Sequence, residues 1–150
     1  MVGAFYRSVG GKRGDGDPVL ISDVELVRLA NEARQRAYCP YSGFPVGAAL
    51  LCADGTVVTG ANMENGVNSL SLCAERVTLF KAFTEGKREF VKMAVSCAGH
   101  HCQPCGACRQ VLHEMAPGIE ILMGNPEGSF VRTTINDLLP EAFLLRDQEA

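Results

Sequence analysis

The chain lacks a dominant charge of one sign: 14 Lys and Arg stand against 17 Asp and Glu, a formal net charge of −3 over 150 residues. With the basic residues scattered rather than clustered, nothing pulls it toward a phosphate backbone, and polymeric nucleic acid is excluded as a favoured partner. The chain also has no apolar stretch near the ~20 residues that span a bilayer, and its start shows neither the apolar segment nor the cleavage site of a secretory signal. The expectation is a cytoplasmic protein with no membrane partner. Long polar runs are missing too, while 47% of residues are apolar. A mostly disordered chain is thereby excluded, leaving one domain with a real core.

Cysteine is what the chain has in quantity, with seven: Cys39, Cys52, Cys73, Cys97, Cys102, Cys105 and Cys108. An odd number without a secretory signal makes a disulfide framework improbable in a reducing cytosol. The run Cys102-Gln103-Pro104-Cys105-Gly106-Ala107-Cys108 holds two overlapping C-x-x-C pairs, so a metal or redox site is expected. Cys39, Cys52 and Cys97 sit in apolar surroundings and read as small core residues.

Residues 1–17 are rich in glycine and charge and read as a flexible tail, leaving 18–150 as a single domain. Ser22-Asp23-Val24-Glu25 has the pattern of a capping box, and apolar residues recur at helical spacing from there to Tyr38, where Cys39-Pro40 stops them. Val46 to Cys52 and Thr56 to Gly60 flank Asp54-Gly55 and predict a hairpin, its first strand apolar on both faces and therefore central. A helix from Cys73 to Glu85 follows a polar loop. Phe90 to Cys97, Cys105 to Met115 and Ile119 to Met123 then read as strand, helix and parallel strand. A last strand, Phe130 to Thr134, and a short helix near Asn136 complete a mixed five-stranded sheet with helices on its faces.

Cys105 and Cys108 lie three apart where a helix starts after Pro104, so they can share one ion, and Cys73 holds the equivalent place ahead of the preceding helix. Three thiolates at tetrahedral zinc leave a position for water; a fourth ligand, with Cys102, His100 and His101 as candidates, would make the site structural. Glu75, two residues after Cys73, suits a general base and has no purpose beside a purely structural cluster. A redox Cys-x-x-Cys pair is the remaining reading.

Several motifs together resemble the small zinc-dependent cytidine deaminases. They are Tyr38 to Leu50 (YCPYSGFPVGAAL), Gly60 to Asn65 (GANMEN), Cys73-Ala74-Glu75-Arg76, Pro104 to Gln110 (PCGACRQ) and Leu138 to Phe143 (LLPEAF), within a likeness running from Ser22 to Phe143. The resemblance implies an α/β, three-layer α-β-α fold and one Zn²⁺ per chain held by Cys73, Cys105 and Cys108. Glu75 would move protons while water attacks the amino-bearing pyrimidine carbon, converting cytidine or deoxycytidine to uridine or deoxyuridine and ammonia in pyrimidine salvage. Asn62 and Glu64 would meet the ribose, Phe44 the base or sugar, and the Ala74 N–H the base. Zinc with three thiolates is net −1 before any hydroxide forms, and Arg76 would compensate that charge. The resembled proteins are typically homotetramers whose neighbours close each pocket, and Phe143 matches their C-terminal aromatic. Blasticidin-type deaminases share the zinc chemistry without the Asn62 to Asn65 ribose signature. Asn68 stands where the resembled family commonly has tyrosine, and the loop Ala98 to Gln103 is short and histidine-bearing.

Overall fold

A computed structural model of the chain describes residues 6–8 and 21–145. Helix α1 (Asp23–Arg34) starts where expected, with Ser22 Oγ accepting the Glu25 amide at 3.2 Å. It ends at Arg34 rather than Tyr38. Pro40 disfavours helical backbone at Cys39, and Tyr38 is drawn into a parallel bridge with Met63. There its N–H donates to the Asn62 carbonyl at 3.0 Å and its carbonyl accepts the Glu64 N–H at 2.8 Å. The early end of α1 thus lays residues 38–46 beside Asn62 and Glu64.

Strands β2 (Val46–Cys52), β3 (Thr56–Ala61), β4 (Phe90–Cys97), β5 (Glu120–Gly124) and β6 (Phe130–Thr134) are the five expected. A sixth, β1 (Tyr6–Ser8), pairs antiparallel with β3 and gives the sheet the order β1-β3-β2-β4-β5-β6. It falls in the segment expected to be a tail; the rest of 1–17 lies outside the described residues. The sheet is mixed: β4 and β5 run parallel, and the other neighbours antiparallel. The pleat divides β2 between two cores. Ala48, Leu50 and Cys52 pack with Leu79, Ala82 and Leu112 of α2 (Ala74–Thr84) and α3 (Gly106–Met115), whereas Ala49 and Leu51 pack with Leu26, Val27 and Ala30 of α1. Two helices on one face and one on the other make three layers. A short helix, α4 (Ile135–Leu138), starts from a capping box at Thr134.

The first residue of α1 also ties the layers by charge. Asp23 Oδ1 lies 2.6 Å from Lys92 Nζ, which reaches Glu120 at 3.2 Å, and Arg132 pairs with both carboxylates. Burial works to raise the Asp23 carboxyl, but Lys92 and Arg132 outweigh it and hold it below its ordinary value. A carboxyl lowered by folding stabilises the folded state above its unfolded pKa and stops doing so as pH falls through the folded one. Asp23→Asn is therefore expected to cost on the order of 1 kcal/mol at pH 7. In melts taken at decreasing pH, its deficit should shrink below about pH 3.9. A deficit that persists unchanged in acid would remove the ion-pair account.

Candidate active site

Both helices on the second face begin at a cysteine. Cys73 and Cys105 are the N-caps of α2 and α3, with extended backbone (ψ 154° and 167°), and neither side chain caps its own helix. Their sulfurs are thereby left for each other and for Cys108, one turn into α3. The three Sγ atoms all lie within 4.8 Å of one another, and Cys73 and Cys105 are 3.7 Å apart. Zinc–sulfur bonds of about 2.3 Å in a tetrahedron separate sulfurs by roughly 3.8 Å, so the trio fits the ion with little rearrangement. Among the described residues no fourth His, Cys, Asp or Glu joins the cluster, which leaves one coordination position for a reactant.

The environment favours thiolate at Cys73. A hydrogen bond from the Cys108 thiol, opposed by burial and aided by Arg76 and Cys105, brings the Cys73 thiol down to about 5. That same bond, together with burial, pushes Cys108 up, so metal entry must release its proton. Arg76 Nη2 sits 3.7 Å from Cys73 Sγ and 3.5 Å from the Ser71 carbonyl, while its buried Nε finds no hydrogen-bond partner. Removing a group that steadies metal ligands costs about 10- to 100-fold in metal affinity. Arg76→Gln is accordingly expected to give up zinc to a competing chelator at 10- to 100-fold lower chelator concentration; parental retention would show that Arg76 does not serve the sulfurs.

Glu75 is the second residue of α2 and only 4% exposed. Burial, with a smaller push from the Cys73 charge, raises its carboxyl to about 7, a range suited to a group that both takes and gives protons. It lines a cavity of about 690 Å³ with Cys73, Cys105, Phe44, Asn62 and Glu64, a size that suits a small molecule. Phe44 is 46% exposed at its wall, so it is not a core residue. Ala74, fully buried, opens α2 between Cys73 and Glu75. Phe143 is not among the lining residues; its ring is exposed and its carbonyl accepts Gln110 Nε2 at 2.7 Å.

Two cysteines differ from expectation. Cys97, expected as a core thiol, and Cys102, a candidate fourth ligand, form a disulfide with Cα atoms 5.5 Å apart. The cause is a contact with a distant strand: the Cys102 N–H donates to the Gly124 carbonyl at 3.0 Å, folding the loop back against the end of the sheet where Cys97 finishes β4. His100 and His101 stay exposed on the cavity rim, outside the sulfur cluster. No separate role for Ser42 or Arg109 was visible in the sequence. Arg109 in fact clamps the approach to Cys105, its Nε donating to the Pro104 carbonyl at 2.8 Å and its Nη1 to the Leu138 carbonyl at 3.1 Å.

A buried carboxylate beside three convergent thiols, on a three-layer α-β-α frame, defines a zinc hydrolase centre of the deaminase type. The family described as "Cytidine and deoxycytidylate deaminase zinc-binding region" matches residues 21–122. A cytidine deaminase from Halalkalibacterium halodurans is 48% identical over 81% of this chain and 94% of its own length. One from Sporosarcina psychrophila is 46% identical over 83% and 94%. The crystal structure of cytidine deaminase from Burkholderia pseudomallei superposes with a TM-score of 0.80 at 44% identity, covering 82% of this chain and all of that one. A blasticidin-S deaminase from Bacillus cereus is more distant, at 28% identity over 79% of the chain. The chain belongs to the zinc-dependent cytidine and deoxycytidylate deaminase family and is an enzyme that hydrolyses a C–N bond.

Proposed function

We propose that the protein deaminates cytidine and deoxycytidine to uridine and deoxyuridine, releasing ammonia, in pyrimidine salvage in the cytoplasm. The observation that carries this reading is the position of Glu75, buried at the start of α2 beside the sulfur cluster and open to a cavity that also holds Asn62 and Glu64. Zinc held by Cys73, Cys105 and Cys108 supplies Lewis acidity that makes water a competent nucleophile near neutral pH. Glu75 takes the proton that water gives up and passes it to the ring nitrogen beside the attacked carbon; it then takes the proton of the newly added hydroxyl and delivers it to the amine, which leaves as ammonia while the carbon–oxygen bond becomes the product carbonyl. The Ala74 N–H, unpaired by the helix because it lies in the first turn, holds the base. Arg76 offsets the negative charge of the sulfurs.

A nucleoside fits better than its monophosphate. Among the described residues Arg76 is the one Lys or Arg lining the cavity and it faces Cys73, while Glu64 and Glu75 are both there; a phosphate brings about −1.5 to −2 more charge. The test is a panel of cytidine, deoxycytidine, deoxycytidine monophosphate, cytosine and blasticidin S, followed by ultraviolet absorbance and ammonia release. Turnover of the two nucleosides at least about 100-fold faster than of the others is expected. Turnover only of blasticidin S, or of the monophosphate, would contradict the reading.

The active form is proposed to be a homotetramer. Phe44 lines the cavity, and Tyr41, Met63, Val67 and Leu70, chain neighbours of its lining residues Ser42, Glu64, Asn68 and Ser71, are likewise exposed apolar side chains, a composition that calls for cover from another subunit. Phe143, displayed on the surface, is available to a neighbour's pocket. Light scattering is expected to return four times the 16.1 kDa chain mass; a monomer with full activity would exclude shared pockets.

A further inference from the structure

Glu64 reaches the cavity with most of its acceptor capacity used. Its Oε2 accepts the backbone N–H of Tyr41 at 2.9 Å and of Ser42 at 3.2 Å, and its Oε1 accepts the Ser42 hydroxyl. A carboxylate offers about four acceptor positions, two on each oxygen. Three are taken, leaving one on Oε1. The Ser42 hydroxyl in turn accepts the Phe44 N–H at 3.1 Å, which fixes the direction of its own proton toward Glu64. Asn62 joins the same segment from the other side, its Nδ2 donating to the Phe44 carbonyl at 3.0 Å and its Oδ1 accepting the Val46 N–H at 2.8 Å. Phe44, Asn62 and Glu64 therefore form one hydrogen-bonded unit, and Ser42, itself a lining residue, is its side-chain link to Glu64.

We infer that Ser42 is a positioning residue that sets sugar specificity. By filling one Oε1 position and fixing the carboxylate against the 41–44 turn, it leaves Glu64, which lines the cavity, a single free acceptor position, enough for one sugar hydroxyl. The inference rests on the reading above that Glu64 meets the sugar, and it extends it: the enzyme reads one hydroxyl, so deoxycytidine, which keeps a 3′-hydroxyl, is accepted, whereas 2′,3′-dideoxycytidine loses the contact altogether.

The test compares kcat and KM of Ser42→Ala, Ser42→Thr and Glu64→Ala on deoxycytidine and 2′,3′-dideoxycytidine. Ser42→Ala is expected to raise KM for deoxycytidine about tenfold, the worth of a hydrogen bond to a charged group. Its kcat should be near parental, and its kcat/KM for the dideoxy compound within about twofold of the parent's. Ser42→Thr keeps the hydroxyl and should recover most of the loss, and in a Glu64→Ala background Ser42→Ala should have no further effect. Should Ser42→Ala fold poorly, Ser42→Cys keeps the shape with a weaker donor and should show the same selective loss. An equal loss on both compounds makes Ser42 a structural residue and overturns the inference; no loss on either shows that Glu64 holds itself. If Glu64→Ala loses no more on deoxycytidine than on the dideoxy compound, it is the reading of Glu64 that fails.

Discussion

Glu75→Gln is expected to keep one zinc per chain and to lower cytidine turnover by about a thousandfold, within the usual contribution of general acid–base catalysis. Glutamine has nearly the shape of glutamate and can occupy the same place at the start of α2, but it carries no proton that it can exchange. Every step assigned to Glu75 needs that exchange, so the loss should fall on kcat rather than on KM. The carboxyl is 4% exposed, and burying a charge is costly, so the variant should also melt at or above the parental temperature. Loss of activity with gain of stability separates catalysis from architecture. Zinc analysis, initial rates and melting on the same samples check this. A variant that holds zinc and turns over within tenfold of the parent would remove Glu75 from the mechanism.

The largest expected effect on stability is at Gly47, where β2 meets the backbone of α1. A Cβ there would lie 2.0 Å from the Ala30 carbonyl oxygen and 2.4 Å from the Arg34 amide nitrogen, both backbone atoms of α1. Because neither can swing aside, the helix itself would have to lift off β2. Gly47→Ala is expected to cost about 3 kcal/mol, the upper part of the overpacking range, and to lower Tm by about 10 °C. Gly106→Ala is the control: nothing lies within 4 Å of the added methyl and the residue opens α3, so stability should hold or rise by less than about 1 kcal/mol. Thermal melts decide it, and equal behaviour of the two variants would show that α1 is not seated on Gly47.

What the sequence could disclose followed the range of the interactions involved. The hairpin was legible because Val46 to Cys52 alternates between two buried faces around the Asp54-Gly55 turn, and the observed β2 has the expected bounds. The sulfur cluster was legible as well, since a cysteine at each of two helix starts is a local pattern whose convergence the three layers then supply. Pairings between distant segments were not. The early end of α1 comes from Tyr38 bridging to Met63, and β1 is a strand only because the edge of β3 receives it. The Cys97–Cys102 bond depends on Gly124 drawing Cys102 inward, and the link from Ser42 to Glu64 crosses 22 positions. A serine in a polar turn gives no sign of such a partner.

The central claim is that three thiolates hold the one zinc on which turnover depends. Zinc should be stripped with a chelator and returned in measured amounts while cytidine turnover is followed. Activity near zero in the stripped protein, rising linearly to a break at one zinc per chain, is the predicted result. Full turnover after stripping, or a break at any other stoichiometry, would contradict it.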